Sequence, residues 1–159
     1  MKQNAIISLI LGIILMLIYP AVSSAQSETE EMEATDMGKP LGLFLADTKV
    51  SVEWEENDSV AALAELAASE PLTVRMSMYG GFEQVGPLGI SLPHSDSQTT
   101  TQAGDIVLFS GNQIVIFYGS NAWAYTRLGR INDKSPEELA ALLGNGDIDI
   151  TITSGGDIQ

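Results

Sequence analysis

The chain contains no cysteine, so it has neither the disulfide bonds that staple many small exported domains nor thiolate ligands for a metal. Histidine occurs only once, as His94, whereas zinc sites usually take about three or four protein ligands. No G-x-x-x-x-G-K or G-x-G-x-x-G loop is present to hold a phosphate or a dinucleotide. We therefore expect no bound metal and no cofactor.

Basic residues are scarce as well. Seven lysines and arginines stand against 21 aspartates and glutamates, and the formal net charge is −14 at pH 7. A surface of this sign repels phosphate backbones and anionic lipid heads. We therefore predict neither nucleic-acid binding nor binding to a membrane surface, and the acidity itself is typical of a soluble protein.

The apolar run at the N-terminus is shorter than the roughly 20 residues that span a bilayer. Lys2 precedes the run, Ala5–Ile18 form it, and Pro20 ends it. The segment that follows, Val22-Ser-Ser-Ala25, has small residues at the positions that a signal peptidase reads. We predict a signal peptide over residues 1–25 and a secreted or periplasmic protein. Membrane contact is expected only if this segment is not cleaved, and no cysteine follows it to carry a lipid anchor.

Composition divides the rest of the chain into three parts. Residues 26–39 are acidic and contain no aromatic or β-branched aliphatic residue, which predicts a flexible linker. Residues 40–153 carry the apolar patterns of a single folded domain. Residues 154–159 are predicted to be a frayed tail.

Short β-type runs separated by glycine-containing turns dominate the predicted domain. The strongest signal is a hairpin, in which D-I-V-L-F and Q-I-V-I-F-Y are joined by Ser110-Gly-Asn112. Both arms are nearly continuous apolar runs, so we expect them to be covered on both faces. Residues 80–93 show little periodicity and are predicted to be a long excursion, and residues 94–101 a polar, exposed segment.

Two short helices interrupt the strands. Asn57 or Asp58 can cap the first helix, and Ser135-Pro-Glu-Glu138 has the form of a capping box with proline at the first helical position. We predict a mainly β fold, a closed barrel of about eight strands with two short capping helices. Closure suits an exported domain without disulfides because it removes exposed sheet edges.

Three motifs occur in order between Tyr79 and Ile131: Y-G-G-F-E-Q-V-G-P-L-G-I-S-L-P, A-G-D-I-V-L-F-S-G-N-Q-I-V-I-F-Y and W-A-Y-T-R-L-G-R-I. In these motifs the chain resembles the cyclophilin-like family of small bacterial β-barrel domains, over about residues 41–152. The family shares the architecture of the peptidyl-prolyl isomerases, but most of its members have no established activity. The resemblance therefore implies a cyclophilin-like barrel more directly than it implies a reaction.

Isomerase activity would need a hydrogen-bond donor aimed at the proline nitrogen. Such a donor stabilises only the twisted peptide bond of the transition state. Cyclophilin-type isomerases use an arginine as donor, a phenylalanine in the proline pocket and a glutamine that holds the peptide backbone. The resemblance implies Arg75, Phe82 and Gln84 as catalytic candidates, although their spacing differs from that of the isomerases. The alternative is that Arg75 is an outward-facing strand residue paired with a carboxylate.

A second set of candidates is aromatic. We expect a ligand-binding groove with an aromatic floor and one charged clamp, which suits an extended peptide or a small carboxylate. Its residues are Tyr79, Glu83, Phe117, Tyr118, Trp123, Tyr125 and Arg127. The alternative is that Arg127 pairs with Glu83 for structure and that the aromatic residues belong to the core.

His94 precedes Asp96 by two residues in a polar segment. A Ser-His-Asp hydrolase is one interpretation, but no G-x-S-x-G motif supports it, and an exposed loop histidine explains the pattern more simply.

The sequence as a whole predicts an exported domain that binds a peptide segment or a small ligand. A peptidyl-prolyl cis-trans isomerase acting on exported proteins is the alternative.

Overall fold

The computed structural model describes residues 40–155. The predicted signal peptide, the predicted linker and residues 156–159 lie outside the described residues. The chain forms, in order, β1 (Leu41–Leu45), β2 (Thr48–Val50), β3 (Val52–Trp54), α1 (Asp58–Leu66), β4 (Leu72–Tyr79), β5 (Glu83–Pro87), β6 (Ser97–Thr100), β7 (Asp105–Phe109), β8 (Gln113–Phe117), β9 (Ala122–Ile131), α2 (Pro136–Leu143) and β10 (Ile148–Ser154).

The strands form a nearly closed antiparallel barrel. Nine of them follow one another in the order β2-β1-β10-β4-β5-β8-β7-β9-β3, and β6 pairs with β9 outside this path. The predicted mainly β barrel with two helices is therefore confirmed. Ser154, which we expected in a frayed tail, is instead the last residue of β10 and pairs with Leu41.

The two edges of the barrel are joined by the chain itself, because β2 and β3 are separated only by Ser51. Across this joint the indole nitrogen of Trp54 donates a hydrogen bond to the carbonyl oxygen of Leu41, at 2.9 Å. The loop after β9 also holds Ser51: its backbone N–H donates to Asp133 Oδ1 at 3.0 Å, and its carbonyl accepts from the N–H of Asn132 at 3.0 Å.

Alternation along the strands places the main core inside the barrel. In β4, Val74 and Met76 are buried and Thr73, Arg75 and Ser77 are exposed. The helices add their apolar faces to this core through fully buried leucines such as Leu63 and Leu143. None of the helical segments within residues 40–155 is long and apolar enough to cross a lipid bilayer.

Both helix starts follow from local chemistry. Asn57, rather than Asp58, caps α1, because its side-chain oxygen accepts from the N–H of Val60 at 3.0 Å. At α2 the predicted capping box is present: Ser135 accepts from the N–H of Glu138, and the Glu138 carboxylate accepts from the N–H of Ser135. These bonds satisfy donors that a helix cannot satisfy within itself.

The hairpin of β7 and β8 is buried on both faces, as its apolar arms predicted. Ile106, Leu108, Ile114 and Ile116 face the main core. On the other face, Val107, Val115 and Phe117 form a second apolar cluster with Tyr125. The barrel therefore carries an apolar layer on its outer surface.

Two strands lie within residues 80–101, where we predicted a long excursion and a polar, exposed segment. β5 was missed because Glu83 and Gln84 are both buried, so its polar residues do not alternate with apolar ones as in a half-exposed strand. β6 was missed because Ser97–Thr100 is a polar and mostly exposed run. The rest of the 94–101 prediction also needs one correction, since Thr101 is fully buried and bonded to Asn121.

Candidate ligand-binding groove

A groove lies on the outer surface of the barrel, over the second apolar cluster. Its volume is about 360 Å³, within the range of about 300–1,000 Å³ typical of small-molecule sites. We call it the outer groove. It is lined by Tyr79, Glu83, Val85, Phe109, Gln113, Val115, Asn121, Trp123 and Tyr125.

One wall of the outer groove comes from a strand that changes partners. The second half of β9 pairs with β7, from Thr126 to Arg130, whereas its first half, Ala122–Tyr125, pairs with β6. Trp123 lies in this first half and is 59% exposed. Tyr79, at the end of β4, is 66% exposed. Two large aromatic side chains therefore border the groove with most of their surface in solvent.

The floor is held rigidly by aromatic packing. The ring of Tyr125 meets Phe109 edge-to-face at a centroid distance of 6.1 Å, and Phe117 at 5.7 Å. Its hydroxyl oxygen accepts a hydrogen bond from Asn121 Nδ2 at 3.0 Å. Such edge-to-face pairs have specific geometry, so the Tyr125 ring presents a fixed surface to the groove.

Glu83 is the only acidic residue among the groove-lining side chains. It is the first residue of β5 and is 6% exposed. No donor among the described residues forms a hydrogen bond with its Oε2. Burial raises the pKa of the Glu83 carboxyl above its ordinary value, because a low-polarity environment disfavours the charged form.

Two tyrosines respond to this carboxyl. Burial first, and then the negative charge of Glu83, raises the pKa of the Tyr118 hydroxyl. The same two causes raise the pKa of Tyr125, and the hydrogen bond with Asn121 partly opposes them. The base of the outer groove is thus a place where negative charge is costly unless a ligand compensates it.

Four of the seven predicted ligand-binding residues meet in the outer groove: Tyr79, Glu83, Trp123 and Tyr125. Phe117 lies beneath them and supports the Tyr125 ring. Tyr118 packs against the main core, and its buried hydroxyl has no hydrogen-bond partner within residues 40–155. These two residues do not line the groove.

Arg127 does not line the groove either, so the expected charged clamp is absent from it. Its Nη2 lies 3.1 Å from Asp105 Oδ1, and its Nε lies 3.6 Å from Glu55 Oε1. Asp105 is buried and needs such partners; it also accepts from the N–H of Gln102 at 2.9 Å. The alternative interpretation, that Arg127 pairs with Glu83, named the wrong carboxylate.

The three isomerase candidates do not meet in one place. Arg75 lies on the outer face of β4 and pairs with Asp149 of β10 at 3.4 Å, with both side chains largely exposed. Phe82 packs against the second apolar cluster. Gln84 is fully buried, and its Nε2 donates to the carbonyl oxygens of Leu143 and Gly146, at 2.6 and 2.7 Å. Gln84 therefore holds the end of α2.

His94 is exposed and lies 3.3 Å from Asp96, with its ring against Gly111 in the hairpin turn. No group of three or more metal-ligating side chains occurs among the residues that the structure describes. His94 is not a lining residue of the outer groove.

Sequence reasoning missed five lining residues, Val85, Phe109, Gln113, Val115 and Asn121. A signal was available for two of them. Phe109 and Val115 occupy alternate positions of hairpin arms that we expected to be covered on both faces. Because only one face of a barrel wall can point inward, their positions indicate that something else must cover the outer face.

These features define a small antiparallel barrel with a mainly apolar groove on its outside. The model of the Cyclophilin-like family matches residues 43–153, and the chain belongs to that family. Its fold is similar to the solution structure of a hypothetical protein, AF2241, from Archaeoglobus fulgidus, with a TM-score of 0.52 and 16% identity over 74% of this chain and 95% of the other. No curated protein matches the sequence. A bacterial origin stays a prediction.

Proposed function

We propose that this cyclophilin-like domain binds a peptide segment or a small ligand in the outer groove. The observation that carries the proposal is the groove itself, an apolar concavity of about 360 Å³ with exposed aromatic side chains on its border. Contiguous exposed apolar surface often marks a binding site, and large aromatic residues supply much of the binding energy in protein interfaces. A mainly apolar groove bordered by aromatic side chains suits a peptide segment or a small ligand.

A screen of short peptides and fragments against the full chain tests this proposal. Trp123→Ala and Tyr79→Ala remove exposed border residues, so neither should disturb the fold. Each should weaken binding by about 1–2 kcal/mol, or about fivefold to thirtyfold. Ile90→Ala is the matched control, because Ile90 is also an exposed large apolar residue but lies outside the outer groove. Equal effects of all three variants would reject the outer groove as the site.

The alternative is a peptidyl-prolyl isomerase. Family membership keeps it open, whereas the separation of Arg75 from Gln84 gives it little support. A protease-coupled isomerisation assay over a panel of proline peptides decides between the two. Turnover that is abolished by Arg75→Ala would establish the enzyme, and no turnover over the panel would leave a binding module.

We also propose that the domain is exported, on the pattern of residues 1–25. The test is the mass of the protein recovered from the culture medium or periplasm after expression with its own N-terminus. A product that begins at about residue 26 supports export and cleavage. A full-length product confined to the cytoplasm contradicts them.

A further inference from the structure

Glu83 is only 6% exposed, and its Oε2 has no hydrogen-bond partner among the described residues, 40–155. A buried carboxylate without a hydrogen bond or an ion pair costs several kcal/mol, so native proteins rarely keep one without a use. Replacement by an apolar residue would remove the cost. The position is therefore informative about what enters the groove.

The protein's own arginines do not compensate Glu83. All three arginines lie among the described residues, and each pairs with another carboxylate: Arg75 with Asp149, Arg127 with Asp105 and Glu55, and Arg130 with Asp105. The one histidine pairs with Asp96. The arginines therefore pair with other carboxylates, and the carboxyl of Glu83, a residue that lines the outer groove, is paired with none of them.

The walls around Glu83 favour a particular kind of cation. Tyr79 and Trp123 border the groove, Tyr125 lies in its floor, and Val85 and Val115 contribute apolar surface. Aromatic faces attract cations through their quadrupoles, most strongly when the cation is partly desolvated. An ammonium group on an apolar stem can place its charge near the carboxyl and its methylene or methyl groups against the rings and valines.

We propose that the outer groove recognises an alkylammonium group, such as a lysine side chain of a peptide or a small quaternary amine. This inference rests on the proposed binding function and narrows its ligand to one chemical class. Glu83 supplies the opposite charge, and the aromatic border supplies cation–π contacts and excludes water. The net charge of −14 further favours the approach of cations over anions.

Matched pairs of probes test the inference on the full chain by amide NMR titration. The pairs are choline and its neutral isostere dimethylbutanol, and a short lysine peptide and its norleucine counterpart. We expect the charged member of each pair to bind at least about tenfold more tightly than the neutral one. Its binding should change the amide chemical shifts of Tyr79, Glu83 and Tyr125. Equal affinity within a pair would overturn the inference and leave groove binding intact.

Variants separate the charge from the aromatic contribution. In Glu83→Gln, the affinities for the charged and the neutral member of each pair should differ by less than about threefold. Glu70→Gln, at an exposed glutamate outside the groove, should leave the preference for the charged member unchanged. If Glu83→Gln does not fold, Trp123→Leu provides a second test, because it keeps apolar contact and removes the aromatic face. It should weaken choline binding at least about fivefold and dimethylbutanol binding less than about twofold.

Failure of the inference and failure of the proposed function give different results. If neither member of either pair binds, the alkylammonium inference is wrong, and the peptide and fragment screen decides the proposed function independently. If neutral probes bind in the groove and cations do not, the groove is a binding site for another ligand class.

Discussion

Arg127 Nη2 lies 3.1 Å from Asp105 Oδ1, and this pair leaves the carboxyl of Glu83 without an arginine. Two buried acidic side chains, each at the first residue of a strand and separated by β8 in the barrel, therefore differ in their partners. Asp105 is buried and pairs with two arginines and a backbone N–H, whereas the Oε2 of Glu83 has no hydrogen-bond partner in the part of the chain that the structure describes. The first arrangement satisfies a buried carboxylate within the fold, and the second is the basis of the proposal that a cationic ligand binds beside Glu83.

The Arg127–Asp105 pair should contribute more to the free energy of unfolding than the Arg75–Asp149 pair. Arg127→Ala deprives a buried carboxylate of its nearest cation and should cost about 1–3 kcal/mol of unfolding free energy. Arg75→Ala breaks an exposed pair with Asp149 and should cost about 0–1 kcal/mol. Urea unfolding of both variants measures the difference. Equal losses would mean that the Arg127–Asp105 pair is not the structural contact described above.

Glu83→Gln should change how stability depends on pH. The folded-state pKa of Glu83 is raised, so the folded chain keeps this proton to a higher pH than the unfolded chain does. Ionisation of Glu83 therefore lowers stability as pH rises from the unfolded pKa of about 4.3 through the higher folded pKa. Glu83→Gln has no carboxyl to ionise, so its stability should not fall in this way as the pH rises.

Thermal unfolding across a pH series checks this expectation. The Tm of Glu83→Gln should exceed that of the unaltered protein at neutral pH, and the difference should shrink as the pH falls toward about 4. Glu70→Gln, at an exposed position, serves as the control and should show no such trend. A variant that is less stable than the unaltered protein at neutral pH would show that the ionised carboxyl has a stabilising partner.

Gln84→Ala should destabilise the protein without reducing binding in the outer groove. It removes hydrogen bonds to the carbonyls of Leu143 and Gly146 and leaves a small cavity, at a cost of about 2–4 kcal/mol. Gln98→Ala, in the exposed strand β6, should cost less than about 0.5 kcal/mol. Groove binding that disappears while the fold persists would instead assign Gln84 to the ligand.

Ser135→Ala should weaken the start of α2. The substitution removes one half of the capping box and should lower the unfolding free energy by about 1 kcal/mol. Ser69→Ala, at an exposed position after α1, should have no measurable effect. Equal stability of the two variants would mean that the cap contributes nothing in this context.

The sequence predicted the barrel because its strongest signals are local. The hairpin over residues 105–118, the alternation of β4 and the capping box at Ser135 each depend on a few neighbouring residues. β5 and the partners of Arg127 could not be predicted in the same way. Glu83 and Gln84 are polar residues buried by tertiary contacts, and Asp105 reaches Arg127 only after β7 and β9 pair.

Only part of the outer groove could be predicted, because some of its lining residues come together only in the folded sheet. Tyr79, Trp123 and Tyr125 are conspicuous in sequence, whereas Val85 and Val115 contribute only because neighbouring strands bring them together on the outer face. The charged residues of the groove were predicted only in part. Glu83 and Arg127 were both expected there, and the structure places only Glu83 in the groove.

The central claim is that the outer groove is where this protein meets its ligand. Amide NMR of the full chain with the tightest peptide or fragment from the screen tests it most directly. The account predicts that the largest shifts fall on Tyr79, Glu83, Val115 and Tyr125 and on the indole N–H of Trp123. Shifts confined to another surface, such as Pro87–Ser91 or the turn beside His94, would contradict it.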